Sequence, residues 1–399
     1  MNLLFFEFKK NAFKPYILVL LIVLTIVNLI GAYFSCAYYK QIYDYKNFQK
    51  MYNSVLKGEL TEDKINFVIS ETKRLADLTA DQTASHEYDP NTYTGNLYSD
   101  SFLFSFDIYP DVKYAVSYYY DNNQIVEKAK NNVEFFTSKN NLYELRENEQ
   151  IVPIYSNRII KDFYDLKGMK YFIYYDFSSL IILLLCLLII IPVFVGEKET
   201  KMDQLLPSFK KGGGKLVWTK ILFTFAVVFL ISLWFSVWDL IGFSVFTSLR
   251  GFDAPVYALN DFQFTFLNFR LSQYLLLSFV LKTIGIGAII SLMLLASRAF
   301  KKTIYAFVVS AGVILIPYLS QFFAKDSFKF SELINPALLI KNRYLFMDFS
   351  VQNIFDYPVS SAIIAVSANL IITVLAITLI VLSSKNIRLF RKESSKAKS

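Results

Sequence analysis

SLIILLLCLLIIIPVFV, residues 179–195, runs for seventeen residues without a charge. A hydrocarbon core about 30 Å thick is crossed by about 20 mostly apolar residues in a helix, and extended back to Tyr171 the run reaches that length. Working outward from it, runs of the same kind occupy residues 15–37 on one side and 221–246, 274–296, 303–323 and 358–382 on the other. The expected fold is an all-α polytopic membrane protein with six transmembrane helices. Whole-chain figures agree: of 399 residues, 54% are hydrophobic and 19% charged, with mean hydropathy +0.38, against about 45–50% and about 25% in soluble domains. A soluble enzyme, a disordered chain and a simple coiled coil are excluded by this clustering.

Lys9, Lys10 and Lys14 precede the first run, as in a secretory signal. Its apolar stretch is longer than a signal core, however, and AYFSCAYY around Cys36 offers no small-x-small cleavage site, so an uncleaved anchor is expected. Cys36 and Cys186 both lie in or beside apolar runs, and His86 is the one histidine. Neither a disulfide framework nor a zinc or histidine metal site is expected from that set, and no cofactor is expected in this chain.

Orientation follows from lysine and arginine, which concentrate in short cytoplasmic segments. Residues 1–14, 196–220, 298–302 and 383–399 would share one side, and they hold 18 basic residues against five acids. Residues 38–170, a segment of 133, hold 16 basic and 20 acidic residues. The expectation is a bacterial cell-membrane protein with both termini cytoplasmic and residues 38–170 extracellular. The net charge of +8 is then a topological signal, and no nucleic-acid partner is expected.

Within the extracellular segment, Ile65, Val68, Ile69, Thr72, Leu75 and Leu78 fall on one helical stripe, and Ile125, Ala129, Val133 and Phe136 repeat the period. SFLFSFDI, residues 101–108, alternates with period two and stops at Pro110, which predicts a strand. A mostly helical (α+β) domain with a small sheet is expected between the first and second spans, its many tyrosines serving packing. Residues 1–14 place Glu7, Lys10, Asn11 and Lys14 opposite Phe5, Phe8 and Ala12, which predicts an amphipathic helix in the inner interface.

FVGEKETKMDQLLPSFKKGGGKLVWTKIL, residues 194–222, joins the second and third spans. Its charged turn, Glu197, Lys198, Glu199, Lys201 and Asp203, leads into Leu205 and Leu206 and stops at Pro207, which predicts a short surface helix offered to a cytoplasmic partner. The glycines at 212–214 free the chain to re-enter the bilayer. They do not form a phosphate loop: Phe209 stands where the first glycine of G-x-x-x-x-G-K-[ST] belongs, and Leu216 follows Lys215.

At this loop the chain resembles the permease subunits of type-2 ABC transporters, through Phe194, Glu197, Leu205, Leu206, Ser208 and Lys220. KKGGGK stands where that family usually has a Pro-x-x-Arg-like turn. The resemblance implies a separate ATP-binding cassette subunit that holds ATP and Mg. That subunit would receive Glu197, Glu199, Asp203, Leu205 and Leu206 in a surface cleft, and a second permease copy or paralogue would complete the path. It also implies short re-entrant helices before the sixth span, and export of an amphipathic or hydrophobic substrate such as an antimicrobial peptide, an antibiotic or a lipid-like molecule, with efflux giving resistance.

Charges inside spans are costly and mark candidate sites. Asp239 in the third span and Lys282 in the fourth form the expected intramembrane polar pair. Asp176, Pro192, Pro317 and Asn369 are read as structural. No nucleophile, base or metal motif lies inside a span, so the chain is read as a transport subunit without catalysis of its own. Two other readings stay open: a membrane sensor or assembly protein whose extracellular domain binds a ligand, and an ion-coupled secondary transporter.

Overall fold

A computed structural model describes residues 3–43, 46–80, 88–205, 214–247, 249–320 and 330–396. The chain opens with α1 (Leu3–Glu7) and a π-helical turn (Phe8–Ala12), followed by α2 (Pro15–Ser35). Pro15 stands at the first position of α2, where its missing N–H costs nothing. Next come α3 (Ala37–Tyr43), α4 (Lys46–Met51), β1 (Gly58–Glu59), α5 (Glu62–Ala80), α6 (Leu97–Leu103), α7 (Tyr109–Lys139), α8 (Leu142–Tyr155) and β2 (Asp162–Phe163). The remainder is α9 (Lys167–Tyr174), α10 (Phe177–Ile190), α11 (Pro192–Glu199), α12 (Met202–Leu205), α13 (Gly214–Thr247), α14 (Leu271–Ala299), α15 (Thr303–Ser320), α16 (Phe330–Leu333), α17 (Pro336–Ile340), the hairpin β3 (Val351–Ile354) and β4 (Tyr357–Ser360), and α18 (Ser361–Lys396).

Among the described residues, six helices are long and apolar enough to cross a membrane: α2, the α9–α11 rod, α13, α14, α15 and α18. The fold is therefore that of a multi-pass membrane protein. The second and fourth spans are central, with 72% and 61% of their apolar windows buried, whereas the first and fifth have 22% and 17% and present side chains such as Ile22, Ile26, Val308 and Ile316 outward. Observed boundaries move the sixth span: Pro358, expected at its start, lies in β4, and α18 begins at Ser361. The fifth span is described as far as Ser320, and positions 321–323 of its expected range lie outside the described residues.

The unit between the first two spans is mostly helical, with one antiparallel pair, β1 with β2. Residues 101–108 correct the strand expectation, since they complete α6 and continue through a π-helical turn into α7. The side chains buried here are Leu97, Asp100, Leu103, Phe104, Ile108 and Val112, a helical spacing, while Phe102 and Phe106 are 46% and 66% exposed. The alternating aromatics imitated a strand because every second one happens to be apolar, and Pro110 is accommodated in the first turn of a helix. α7 and α8 form an antiparallel hairpin whose turn is written locally. Asn140 takes a left-handed conformation after α7, and Asn141 caps α8 by accepting from Glu144 N. Of the tyrosines in this unit, Tyr39, Tyr52, Tyr118 and Tyr155 are buried, whereas Tyr38, Tyr98, Tyr119 and Tyr120 are exposed.

Between the fifth and sixth spans, α17 is buried along its whole length and packs against α14, α15 and α18. It meets α14 at Gly285, where an added Cβ would stand 2.8 Å from Pro336 O and 2.9 Å from Leu339 Cβ. Backbone contact that close leaves no give, so Gly285→Ala should destabilise the protein by about 1–3 kcal/mol. Thermal unfolding in a fixed detergent tests it, and an unchanged midpoint would show that α17 does not need this approach.

Candidate functional site

Two buried polar clusters stand out, one at each end of the bundle. The first is built around the break in the second span. Pro192 lacks an N–H and interrupts the helix ladder, which splits α10 from α11. Ser297 of α14 repairs the break: its Oγ donates to Ile191 O (2.5 Å) and accepts from Phe194 N (3.1 Å) and Val195 N (3.3 Å).

Beyond the break, three consecutive side chains of α11 reach three different places. Glu197 is buried and accepts from Lys220 Nζ of α13 (2.5 Å) and from Lys10 Nζ of the N-terminal turn (2.7 Å). Lys198 donates to Arg298 O, in the last turn of α14, and to Phe300 O (2.9 Å), just beyond its end. Glu199 accepts from Thr303 N (2.6 Å) and Thr303 Oγ1 (2.8 Å) and so caps the start of α15.

Lys220 also donates to Val193 O (2.5 Å) and lies 4.7 Å from the centre of the Phe194 ring. Glu7 joins the cluster, accepting from Asn11 Nδ2 (2.9 Å). Burial pushes its carboxyl above the ordinary range and Glu197 adds to that, against the pull of Lys220 and Lys10. The N-terminal segment thus turns its polar face inward, with Glu7 1% exposed and Phe5 53%. Phe8 meets Phe223 of α13 edge-on at 5.0 Å.

Glu197 and Glu199, expected to face a partner, are therefore both engaged within the chain. Of the two only Glu197 is buried; Glu199 is exposed, as are Thr200, Lys201, Met202 and Asp203 that follow it. The backbone of Leu205 closes α12, while Leu206 and Ser208, with the glycines at 212 and 213, lie outside the described residues.

The second cluster joins four spans. Asp239 of α13 is buried and accepts from Asn28 Nδ2 of α2 (2.5 Å). Lys282 Nζ of α14 donates to Ser178 Oγ of α10 (2.9 Å), and Ser178 also contacts the Asp239 carboxylate, so one hydroxyl stands between the two charges. Tyr175 OH donates to Asn28 O (2.7 Å). Asp239 and Lys282 are brought together as expected, but through Ser178 and not by direct contact. Asn28 and Ser178 were missed, although Thr25, Asn28 and Ala32 repeat at helical spacing on the buried side of α2. Trp234 Nε1 donates to Thr25 Oγ1 (3.0 Å) and marks the same seam.

At the domain end of the bundle, Asp176 has a specific partner: Arg343 grips it with two hydrogen bonds of 2.8 and 2.7 Å. Buried Arg158 has no carboxylate partner among the described residues and donates to Asn268 Oδ1 (2.8 Å), Thr265 O (2.8 Å) and Leu267 O (3.4 Å), clamping the loop between α13 and α14 to the unit between the first two spans. Among the described residues no group of His, Cys, Asp and Glu is placed to hold a metal.

The fold and these clusters define a polytopic helical membrane protein with a charge-locked segment at the N-terminal end. No protein-family model, curated protein or solved structure matches the chain.

Proposed function

We propose that this chain is the membrane-spanning subunit of an ATP-driven exporter, working with a separate ATP-binding cassette subunit that binds ATP and Mg and with a second permease copy or paralogue. Both termini are cytoplasmic in this reading, residues 38–170 are extracellular, and the setting is a bacterial cell membrane. The excess of 18 basic over five acidic residues on the proposed inner side supports that orientation.

The observation that carries the proposal is the wiring of α11. Through Glu197, Lys198 and Glu199 it is tied to the N-terminal turn and to α13, α14 and α15. A force applied at the exposed start of α12 is passed to several spans at once, as an ATPase partner would require. In this reading Glu197 acts as a positioning residue that holds α11, and Asp203, Leu205 and Leu206 make the contact. The proposed substrate is amphipathic or hydrophobic: an antimicrobial peptide, an antibiotic or a lipid-like molecule.

The experiment is affinity purification of the tagged chain from its native host in mild detergent, followed by ATPase assay. Leu205→Asp should lose the ATPase partner, whereas Glu197→Ala should keep it bound but uncouple its activity. A chain that purifies without any ATPase removes the proposal and turns attention to the sensor reading. An ion-coupled transporter is the second reading, favoured by the Asp239–Ser178–Lys282 chain across three spans; transport that persists without ATP and collapses with the proton gradient would select it.

A further inference from the structure

Between the α7–α8 hairpin and the loops at residues 264 and 348–349 lies an open cleft of about 450 Å³. That is within the range of small-molecule sites, about 300–1,000 Å³. Tyr155 OH donates to Phe264 O (2.5 Å), which ties α8 to the facing loop, and Asn132 Nδ2 donates to Asn148 Oδ1 (3.0 Å), which ties α7 to α8. The site is thus formed before any ligand arrives, which lowers the ordering cost of binding.

Its chemistry is mixed in a particular way. Ile151, Phe264 and Phe349 supply apolar surface. Lys128 on α7 and Asp348 on the facing loop both line the cleft, both are exposed, and neither is in an ion pair among the described residues. One cation and one anion beside aromatic walls complement a molecule that carries both charges and an apolar body.

We propose that this cleft binds the zwitterionic form of a short peptide with aromatic or aliphatic side chains, its carboxylate at Lys128, its ammonium at Asp348, and its side chains against Ile151, Phe264 and Phe349. The inference rests on the cleft and is independent of the ATP-driven reading, because binding is measured without nucleotide.

The test uses the full chain in nanodiscs of phosphatidylglycerol, which has no zwitterionic headgroup, with the tripeptide Phe-Gly-Phe as probe and calorimetry as readout. Saturable binding is expected, weakened tenfold or more by acetylating the amine, by amidating the carboxylate, by Lys128→Glu or by Asp348→Lys. Both residues are exposed, so the variants should fold, and the double charge swap should restore binding with reversed polarity. No saturable binding overturns the proposal, as does binding indifferent to blocked termini and to both variants. Displacement of the peptide by an equal concentration of phosphocholine also overturns it, since the occupant would then be a lipid headgroup.

Discussion

Lys220→Met should destabilise the protein by about 3–5 kcal/mol, the cost of removing one partner from a buried ion pair. Lys220 lies 2.5 Å from Glu197 and is itself almost fully buried. Without it, Glu197 keeps only Lys10, Val193 O loses its donor, and Glu7 loses the strongest positive charge opposing its burial. Glu197→Gln placed on top of Lys220→Met should recover at least half of the loss, because residues of one network are not additive. Thermal unfolding in one detergent measures both. A single variant within about 1 kcal/mol of the native protein, or strict additivity of the two changes, would mean that this cluster is wetter than its burial indicates.

Asp111→Asn should do the opposite and stabilise the protein at pH 7.5. Asp111 sits at the base of the inserted domain, where burial pushes its carboxyl up from 3.8 to about 6. Lys167 and Lys170 favour its charge, and Asp107 and Asp165 oppose it. With the native value above the unfolded one, the native state binds more protons between pH 3.8 and about 6. Stability contributed by the protonated group is therefore present below 3.8, lost as pH rises through about 6, and absent above it. The gap corresponds to on the order of 2–3 kcal/mol. Relative to Asp111→Asn, the native protein should lose stability progressively between pH 4 and pH 7, and a variant less stable than native at pH 7.5 would reverse the assignment.

Part of this site is legible in the sequence. Asp239 and Lys282 stand out as charges inside apolar runs, and both lie in the second polar cluster; Glu197 stands out in a charged turn that predicts an outward face, yet it is buried. Their partners were not legible. Ser297 and Ser178 are unremarkable residues whose importance comes from a helix break and from a lysine on a neighbouring span. Glu199 read as one charge in a solvated turn, yet it caps α15 across more than a hundred residues of sequence. Reading residues 101–108 as a strand failed because alternation over eight residues does not distinguish a strand from a helix whose exposed face is also aromatic.

The six runs long and apolar enough to cross a membrane, and the long segment between the first two, are determined by sequence alone, because the thickness of a bilayer tests each run of about 20 residues by itself. The inward turn of the N-terminal charges, the bridge of Ser178 between Asp239 and Lys282, the seat of α17 against Gly285 and the cleft beside Tyr155 were decided only by tertiary structure. Each depends on backbone groups and side chains distant in sequence meeting at hydrogen-bonding or van der Waals distance, and no local pattern encodes which of them meet.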